Sequence, residues 1–349
     1  MNKEKKSYDL FIGCYGRQDE ETIHWLEFDA KQETIRKVTS FTGIENPSFL
    51  TVNRKKDHLY AISEVDNGEV VCFGIDHQEK KIHEINRHFT KGGPCYVELG
   101  ANEDYIFTAN YGGGSIVVHA LNENGEIEKE TDFLTYQSKK SASEVSNVHM
   151  ITNISKTPYY IATDLGLNKL YVYRFDHVRG HLEQVHEIIM PDGSGPRHIT
   201  FHPTLNRFYV VNEFNSTVLV YSYDQQLASV TLEQVVSTLP DTFEGDNYGA
   251  HIETSSSGIY LYASNRGQHA IAVFEILLDG KLKALSHAET KGEWPRHFTN
   301  LPDSNFVFVL NEHTDNLIVM KMSKGGKLQH TGLTYAVNKP VCIHAMPNT

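Results

Sequence analysis

Ionisable residues recur at matching places along this chain, and their types suit the binding of an anion. Arg197 and Arg296 each stand in a Pro-Arg-His triplet. A second set of places, each one residue after a polar residue that ends an apolar run, holds Glu64, Glu213, Arg266 and Glu312. The planar guanidinium of arginine can bind a carboxylate or phosphate through two parallel hydrogen bonds. The pattern favours an anion-binding site with an acid–base group nearby. An ion-pair lattice that merely joins structural units is the alternative.

A two-part repeat sets these places. Its first part is a short segment built on Pro or an equivalent residue, and its second part is an apolar run that ends in a polar residue. Sixteen positions separate the two reference residues in each copy: Pro47 and Ser63, Pro94 and Asn110, Val148 and Asp164, Pro196 and Asn212, Gly249 and Asn265, Pro295 and Asn311. Successive copies lie 46 to 54 residues apart. This indicates a rigid unit with connections of variable length.

The repeat predicts the fold class. A period of roughly 40–50 residues, rich in Val, Ile, Tyr and Phe and separated by turn residues, is typical of four-stranded propeller blades. Six copies are complete, and the seventh is split: the segment at Pro340 lacks an apolar run, and the run 8–14 lacks a Pro segment. We predict one all-β domain, 1–349, a seven-bladed β-propeller closed by pairing the N-terminal and C-terminal strands, which hides the edges of an open ring.

The same reasoning places the ionisable residues. The Pro segment starts the innermost strand and the polar residue ends its antiparallel neighbour, so both sets are expected at one mouth of the central channel, where ligands bind in such folds. His149 stands where other copies carry Arg or Cys, which makes it the preferred proton-transfer candidate. His198 and His297 are interpreted as packing residues whose rings bond backbone. Asn110 and its equivalents are interpreted as turn-capping amides.

Composition excludes several classes of function. The net charge of −12 argues against nucleic acid or an anionic membrane surface as a partner. No run approaches the roughly 20 apolar residues of a membrane span, and residues 1–6 lead into a strand without a signal-peptide core, so a cytoplasmic location is expected. The four Cys lack CxxC spacing and are expected to be buried free thiols. No HxH or HExxH spacing occurs, so neither a metal nor another cofactor is expected.

Specific motifs resemble the seven-bladed propeller lactonases, which include propeller-type 6-phosphogluconolactonases and fungal carboxy-cis,cis-muconate cyclase. The resemblance covers essentially the whole chain and rests on segments 46–48, 94–95, 109–112, 164–166, 195–203, 212–213 and 263–267. It implies a catalytic quartet of His149, Arg197, Glu213 and Arg266. Substrate contacts are expected from Arg296, His198, Asn110 and Glu312.

Departures from the family pattern occur at Cys14, Tyr96, Phe214 and Glu312, where the family commonly has Thr, His, Leu and Gln. Tyr96 and Glu312 would alter the channel mouth and with it the substrate. The sequence predicts a hydrolase for a small anionic lactone, with 6-phosphogluconolactone the first substrate to try, in a monomer or weak homodimer. The alternatives are a carboxymuconate-type lactonizing cyclase and a non-catalytic scaffold that binds protein.

Overall fold

The computed structural model describes residues 7–137, 145–224, 227 and 229–348. In these ranges 28 strands and no helix occur, and the strands form seven four-stranded sheets, one for each copy of the repeat. The predicted class, an all-β seven-bladed propeller, is confirmed. The chain divides into two compact units, which are described separately: residues 1–191 with 342–344 and 348–349, and residues 192–341 with 345–347.

The strands β1–β15 belong to the first unit. Their bounds are β1 (Ser7–Cys14), β2 (Ile23–Asp29), β3 (Thr34–Phe41), β4 (Leu50–Val52), β5 (His58–Ser63), β6 (Glu69–Asp76), β7 (Lys81–Phe89), β8 (Pro94–Leu99), β9 (Tyr105–Asn110), β10 (Ser115–Leu121), β11 (Ile127–Thr135), β12 (Val148–Asn153), β13 (Tyr159–Asp164), β14 (Lys169–Asp176) and β15 (His181–Ile189). The strands β4–β7, β8–β11 and β12–β15 form three sheets in chain order.

The strands β16–β27 belong to the second unit. Their bounds are β16 (Pro196–Phe201), β17 (Arg207–Asn212), β18 (Thr217–Tyr223), β19 (Val230–Ser237), β20 (Gly249–Thr254), β21 (Tyr260–Asn265), β22 (Ala270–Ile276), β23 (Leu282–Glu289), β24 (Pro295–Asn300), β25 (Phe306–Asn311), β26 (Asn316–Met322) and β27 (Leu328–Ala336). They form three sheets of four consecutive strands.

The remaining sheet joins the two ends of the chain. Its order is β28-β1-β2-β3, where β28 (Pro340–Pro347) is the last strand and β1 the first. The backbone N–H of Asn348 donates to the carbonyl of Ser7 at 2.9 Å, which extends the pairing beyond the strand end. The predicted closure is therefore confirmed. The last strand of the chain is thus the first strand of this sheet's order, and it pairs with the first strand of the chain.

The spacing of sixteen residues has a direct structural cause. In five repeats its two reference residues are cross-strand partners: Pro94 with Asn110, Val148 with Asp164, Pro196 with Asn212, Gly249 with Asn265 and Pro295 with Asn311. A shift of one residue would turn every side chain of a strand to the opposite face. The constant spacing is the requirement for a constant register.

Apolar contacts hold neighbouring sheets of each unit together. In the first unit Tyr60 and Ile62 of β5 pack with Val97 of β8 and Ile106 of β9. In the second unit an equivalent cluster packs β17 and β18 against β21 and β22. Strands that are covered on both faces, such as β10, are buried along their whole length. Outermost strands, such as β11, carry many exposed residues. At about 25 cal/mol per Å² of apolar area buried, these contacts are the main stabilising term.

Three further expectations concern chemistry and location. All four Cys are buried and free, as the sequence predicted. Within the described ranges no helix has the length and apolar character to cross a bilayer. Across the same residues no group of three or more His, Cys, Asp or Glu side chains is arranged to hold a metal ion. Residues 1–6, used for the expected location, lie outside the described residues.

Candidate active site

A recurring backbone hydrogen bond fixes one set of the ionisable residues. In five repeats the residue after the polar reference residue donates its N–H to the carbonyl that precedes the Pro equivalent: Glu64 to Asn46 (3.1 Å), Leu165 to Asn147 (3.0 Å), Glu213 to Gly195 (2.8 Å), Arg266 to Tyr248 (3.0 Å) and Glu312 to Trp294 (3.1 Å). These residues lie just beyond the strand ends, since each of these strands ends at the polar reference residue. Each side chain leaves the backbone at an equivalent point.

A β-bulge fixes the other set. The register of β16 with β17 shifts between Pro196 and His198, so that Arg197 has no cross-strand partner. The same shift leaves out Arg296 in β24 and His149 in β12. A bulge bends the strand and re-aims the extra residue, and such features are common beside active sites. The candidate residues at these places are therefore bulge residues, which the sequence had not predicted.

In the second unit three of the four predicted catalytic residues form one ion cluster. Oε2 of Glu213 lies 3.1 Å from Nε of Arg197 and 2.8 Å from Nη2 of Arg266. The two arginine side chains are 3% and 6% exposed, whereas Glu213 is 18% exposed. One carboxylate is thus shared between two nearly buried guanidinium groups. The shared carboxylate oxygen offsets part of the cost of burying two positive charges side by side.

Backbone carbonyls at the start of β20 hold the same two arginines, Arg197 from the neighbouring repeat and Arg266 from its own. Nη1 of Arg197 donates to Ala250 O at 2.7 Å, and Nη2 of Arg266 donates to Gly249 O at 3.0 Å. Gly249 stands where most repeats have Pro, and a Cβ atom there would lie only 2.3 Å from Asn212 O. The close approach of the two strands therefore requires glycine at this position. It brings the carbonyl of Gly249 within reach of Arg266.

Arg296 and Glu312 extend the cluster. Burial lowers the pKa of Arg266, Glu213 opposes this, and the charges of Arg296 and Glu312 also act on it. Three guanidinium groups and two carboxylates give these five residues a net charge of +1. Oε2 of Glu312 is buried and accepts no hydrogen bond from the residues that the structure describes. The cluster thus combines excess positive charge with one buried carboxylate oxygen, Oε2 of Glu312, that has no donor among the described residues.

Aromatic rings cover Arg266. Its guanidinium lies 5.3 Å from the ring centre of Trp294 and 5.7 Å from that of Tyr248. The ring of Trp294 stacks on His313 at 4.7 Å with an interplanar angle of 12°. Trp294 has a φ of +65°, a left-handed conformation that is an outlier for a bulky residue and is typically found at functional sites. A strained aromatic residue therefore borders the ion cluster.

Histidines lie behind Arg197. Nδ1 of His198 is 2.8 Å from Nδ1 of His251, whose ring stacks on His297 at 3.9 Å. The sequence interpretation of His198 and His297 as packing residues agrees with their burial. At Nδ1, the partner of the His198 ring is another histidine, His251. His198 therefore lies against Arg197, with Nε2 at 3.4 Å from Nη1.

The first unit holds the other two predicted site residues. His149 is buried, and its ring meets that of Tyr111 edge-on at 5.8 Å. Its carbonyl accepts a hydrogen bond from Sγ of Cys95 at 3.3 Å. Nδ2 of Asn110 donates to Thr90 O at 2.7 Å and to Oγ of Ser115 at 3.0 Å, which favours the turn-capping interpretation over substrate binding. The roles of both residues stay predictions.

Sequence reasoning missed the aromatic and histidine neighbours of the arginines. Tryptophan is not a residue type that marks a left-handed conformation at position 294. The equivalent positions in two other repeats hold Asn46 and Gly195, which are ordinary turn residues. The only available signal was that one of the two Trp residues directly precedes a Pro-Arg-His triplet. His251 follows Ala250 instead of the Arg of that triplet, so the sequence pattern does not mark it as a site residue.

Comparison with known proteins identifies the family. The family described as "Lactonase, 7-bladed beta-propeller" matches residues 9–345. A 6-phosphogluconolactonase from Bacillus subtilis is 30% identical over 342 residues, which cover 96% of this chain and 97% of that protein. The chain therefore belongs to the seven-bladed β-propeller lactonase family, and the expected family resemblance is confirmed. It is an enzyme of the lactonase class.

Solved structures agree with this fold. A protein from Lactobacillus plantarum superimposes with a TM-score of 0.89 at 28% identity, over 98% of this chain and 99% of that one. A periplasmic gluconolactonase from Pseudomonas aeruginosa superimposes with a TM-score of 0.90, over 97% and 99% of the two chains. At 24% identity, this second likeness supports the fold alone.

Proposed function

We propose that this enzyme hydrolyses a lactone that carries an anionic group, with 6-phosphogluconolactone the first substrate to test. The observation that carries the proposal is the ion cluster of Arg197, Glu213 and Arg266, extended by Arg296. An excess of guanidinium groups in a largely water-excluded place binds a phosphate or carboxylate more strongly than exposed charges do. The relative from Bacillus subtilis is named for the same activity.

The arginines have two uses in lactone opening. They bind the anionic group of the substrate, or they stabilise the oxyanion that forms when water attacks the lactone carbonyl. Glu213 pairs with both Arg197 and Arg266 through one oxygen and so keeps the two positive charges next to each other. A fixed donor costs no reorganisation as the charge develops, and this is the usual source of electrostatic catalysis.

Proton transfer is assigned to His149. It occupies in β12 the bulge position that Arg197 occupies in β16, and an imidazole has an ordinary pKa suited to general acid–base catalysis near neutral pH. It would take a proton from the attacking water and return it to the departing ring oxygen. This role rests on the equivalence of repeat positions and on the family resemblance.

The remaining neighbours suit a sugar. The carboxyl group of Glu312, whose side chain is 15% exposed, can accept a hydrogen bond from a substrate hydroxyl. The 38% exposed Tyr248 offers a ring face for the C–H side of a sugar ring, and Trp294, whose ring meets His313 and Arg266, offers an edge beside it. A lactone with several hydroxyl groups and one anionic group would satisfy all of these partners together.

A lactonase assay tests the proposal. Purified enzyme is given 6-phosphoglucono-δ-lactone, unphosphorylated glucono-δ-lactone and carboxy-cis,cis-muconate, with and without a chelator. We expect turnover of the phosphorylated lactone with a kcat/KM at least about tenfold above that of the unphosphorylated one, the equivalent of one lost charged contact. The chelator should change nothing, since the arginines supply the positive charge.

Three outcomes would contradict the proposal. Equal turnover of both lactones would remove the role of the arginines as a phosphate site. Cyclisation of the muconate without lactone hydrolysis would favour the lactonizing activity. Loss of activity with chelator and its return with a divalent ion would mean that a metal is required.

A further inference from the structure

Four side chains form one continuous row of polar contacts in the second unit. Nη1 of Arg197 lies 3.4 Å from Nε2 of His198, and Nδ1 of His198 lies 2.8 Å from Nδ1 of His251. Nε2 of His251 then lies 3.3 Å from Oε1 of Glu253. The other carboxylate oxygen of Glu253 accepts hydrogen bonds from N and Nδ2 of Asn300, each at 2.9 Å. The row runs from the ion cluster to a carboxylate held by backbone.

Only one arrangement of protons satisfies the three contacts among Arg197, His198, His251 and Glu253 when both imidazoles are neutral. Arginine can only donate, so Nε2 of His198 must accept and its Nδ1 must carry the proton. Nδ1 of His251 therefore accepts, and its Nε2 carries the proton that is donated to Glu253. An ionised carboxylate accepts at both oxygens. Oε1 of Glu253 faces His251, and Oε2 accepts both bonds from Asn300. All hydrogen bonds in the row thus point the same way, from Arg197 to Glu253.

We propose that His198, His251 and Glu253 are positioning residues that fix the guanidinium plane of Arg197 by setting the tautomer of each imidazole in turn. The inference rests on the proposed role of Arg197 in binding the substrate anion. If the direction of the row were reversed, an N–H of His198 would face an N–H of Arg197. The guanidinium would then rotate away from the plane in which it also bonds Glu213 and Ala250.

The charge states support this direction. Burial and the neighbouring charge of Arg197 lower the pKa of His251 to about 3, so that its ring stays neutral at pH 7. His297 stacks on the same ring from β24 and presents a face rather than a donor. Burial raises the pKa of Glu253 to about 7, and above that pH the carboxylate is available as the terminal acceptor.

The first unit provides a natural comparison. Glu98 occupies in β8 the place of Glu253 in β20, and it likewise accepts a backbone N–H from the next inner strand, that of Asn153 at 2.8 Å. Its other oxygen accepts a hydrogen bond from the hydroxyl of Tyr96 at 3.1 Å. The ring of Tyr96 packs against Phe49 at a tilt of 38°, with centres 4.2 Å apart, and Phe49 has no ring nitrogen to continue a row. Glu98 therefore anchors strands without setting a tautomer.

The experiment measures the tautomers directly. Enzyme with ¹⁵N-labelled histidine is studied by long-range ¹H–¹⁵N correlation at pH 8, and the two rings are assigned with the variants His198→Gln and His251→Gln. We expect a proton on Nδ1 of His198 and on Nε2 of His251. The variant Glu253→Gln should mix the tautomers of both rings, because an amide can also donate to His251. Glu253→Asp, which keeps the carboxylate, should retain the wild-type pattern in part.

Kinetics give the second readout. In Glu253→Gln the KM for 6-phosphoglucono-δ-lactone should rise about tenfold, the effect of a misplaced binding group, with kcat within about twofold. The matched control Glu98→Gln should leave the tautomers of His198 and His251 and the KM unchanged. Glu253→Asp should recover most of the loss in KM.

Two results would overturn the inference. The first is a proton on Nε2 of His198 in the wild-type enzyme. The second is a Glu253→Gln variant whose tautomers and KM match those of Glu98→Gln, which would make Glu253 a strand anchor only. If instead the enzyme opens no lactone but shows the expected tautomers, the proposed function fails while the row of directed hydrogen bonds stands.

Discussion

Glu64 in the first unit and Glu213 in the second occupy the same repeat position and make the same backbone bond, yet their surroundings differ. Oε2 of Glu64 accepts a hydrogen bond from the hydroxyl of Tyr15 at 3.0 Å, and the residue at the bulge position of its repeat is Ser48. Glu213 instead joins Arg197 and Arg266. The repeat decides where a carboxylate lies, and the residue at the bulge position decides whether it becomes part of an ion cluster.

The two half-buried glutamates of the inner strands give the same lesson. Glu98 and Glu253 share a position, a backbone partner in the next strand and a pKa that burial raises to about 7. A tyrosine precedes one by two residues and a histidine precedes the other. Since only the histidine has a second ring nitrogen, only the second unit carries the contact onward to an arginine.

The largest expected effect separates the two bulge residues His149 and Arg197. His149→Ala should lower kcat by about 10²–10⁴, because a proton carrier acts only as bonds break. Arg197→Ala should mainly raise KM, since an anion contact is made in ground and transition state alike. Arg197→Lys should recover little of the loss, because an ammonium cannot replace the planar fork. Steady-state kinetics on the phosphorylated lactone measures all three.

A His149→Ala enzyme within a few-fold of the wild-type kcat, with its circular dichroism unchanged, would make His149 a structural residue. The acid–base role would then pass to Glu213 or to no side chain. An Arg197→Ala enzyme with unchanged KM would place the substrate anion elsewhere.

A large effect on stability should distinguish the two equivalent carboxylates. Glu213→Gln leaves two nearly buried guanidinium groups without their shared anion and should lower the free energy of unfolding by about 3 kcal/mol. Glu64→Gln removes one partly exposed acceptor and should cost less than about 1 kcal/mol. Urea unfolding of both variants at pH 7 measures the difference. Equal midpoints would mean that the cluster contributes no more than a surface ion pair.

The pH dependence of stability should be shared by the two units. A carboxyl group with a pKa near 7 in the fold and 4.5 in the unfolded chain binds more protons when folded, so stability falls as pH rises from 4.5 to 7. The side chain of Glu253 is 25% exposed. After allowance for solvent screening, we expect the shift to change the free energy of unfolding by about 1 kcal/mol. Glu253→Gln and Glu98→Gln should each gain about this much over wild type across the window.

The buried histidines have the opposite sign. Burial lowers the pKa of His251 to about 3 and that of His344 to about 4, so that their contribution is lost as pH falls from 6.5 toward 4. The difference in unfolding free energy between each glutamine variant and the wild type removes this common background. If the advantage of a glutamine variant over the wild type grew as the pH fell, the assigned direction of the glutamate pKa shift would be wrong.

The smallest expected effect concerns Trp294. Its repeat equivalent Asn46 adopts a φ of +47°, and asparagine accepts this conformation readily. Trp294→Asn should therefore change the unfolding free energy by less than about 1 kcal/mol, because lost ring contacts and relieved strain oppose each other. Its KM for the sugar lactone should rise about fivefold, since an aromatic contact is worth about 1 kcal/mol. An unchanged KM would exclude the ring from substrate binding.

The sequence predicted the register and the ion cluster because both follow from the spacing of sixteen residues. Pro196 and Asn212 are cross-strand partners, which places Arg197 and Glu213 at the same end of the antiparallel pair, but their contact also involves the β-bulge at Arg197, which the sequence did not predict. The link from His198 to His251 depends on the distance between β16 and β20, which packing of apolar side chains decides. The left-handed Trp294 likewise needs coordinates, since local propensity disfavours it.

The most direct test of the ion cluster as the substrate-anion site uses the two tryptophans. Trp294 lies 5.3 Å from the guanidinium of Arg266, whereas Trp25 is fully buried in the first unit and donates to Asp9 at 2.7 Å. Fluorescence is recorded while 6-phosphogluconate, the product of the proposed reaction, is titrated into wild type, Trp294→Phe and Arg197→Ala. We predict a saturable change in the wild type, none in Trp294→Phe, and at least about tenfold weaker binding in Arg197→Ala. A change that persists in Trp294→Phe, or equal affinity in Arg197→Ala, would contradict the account.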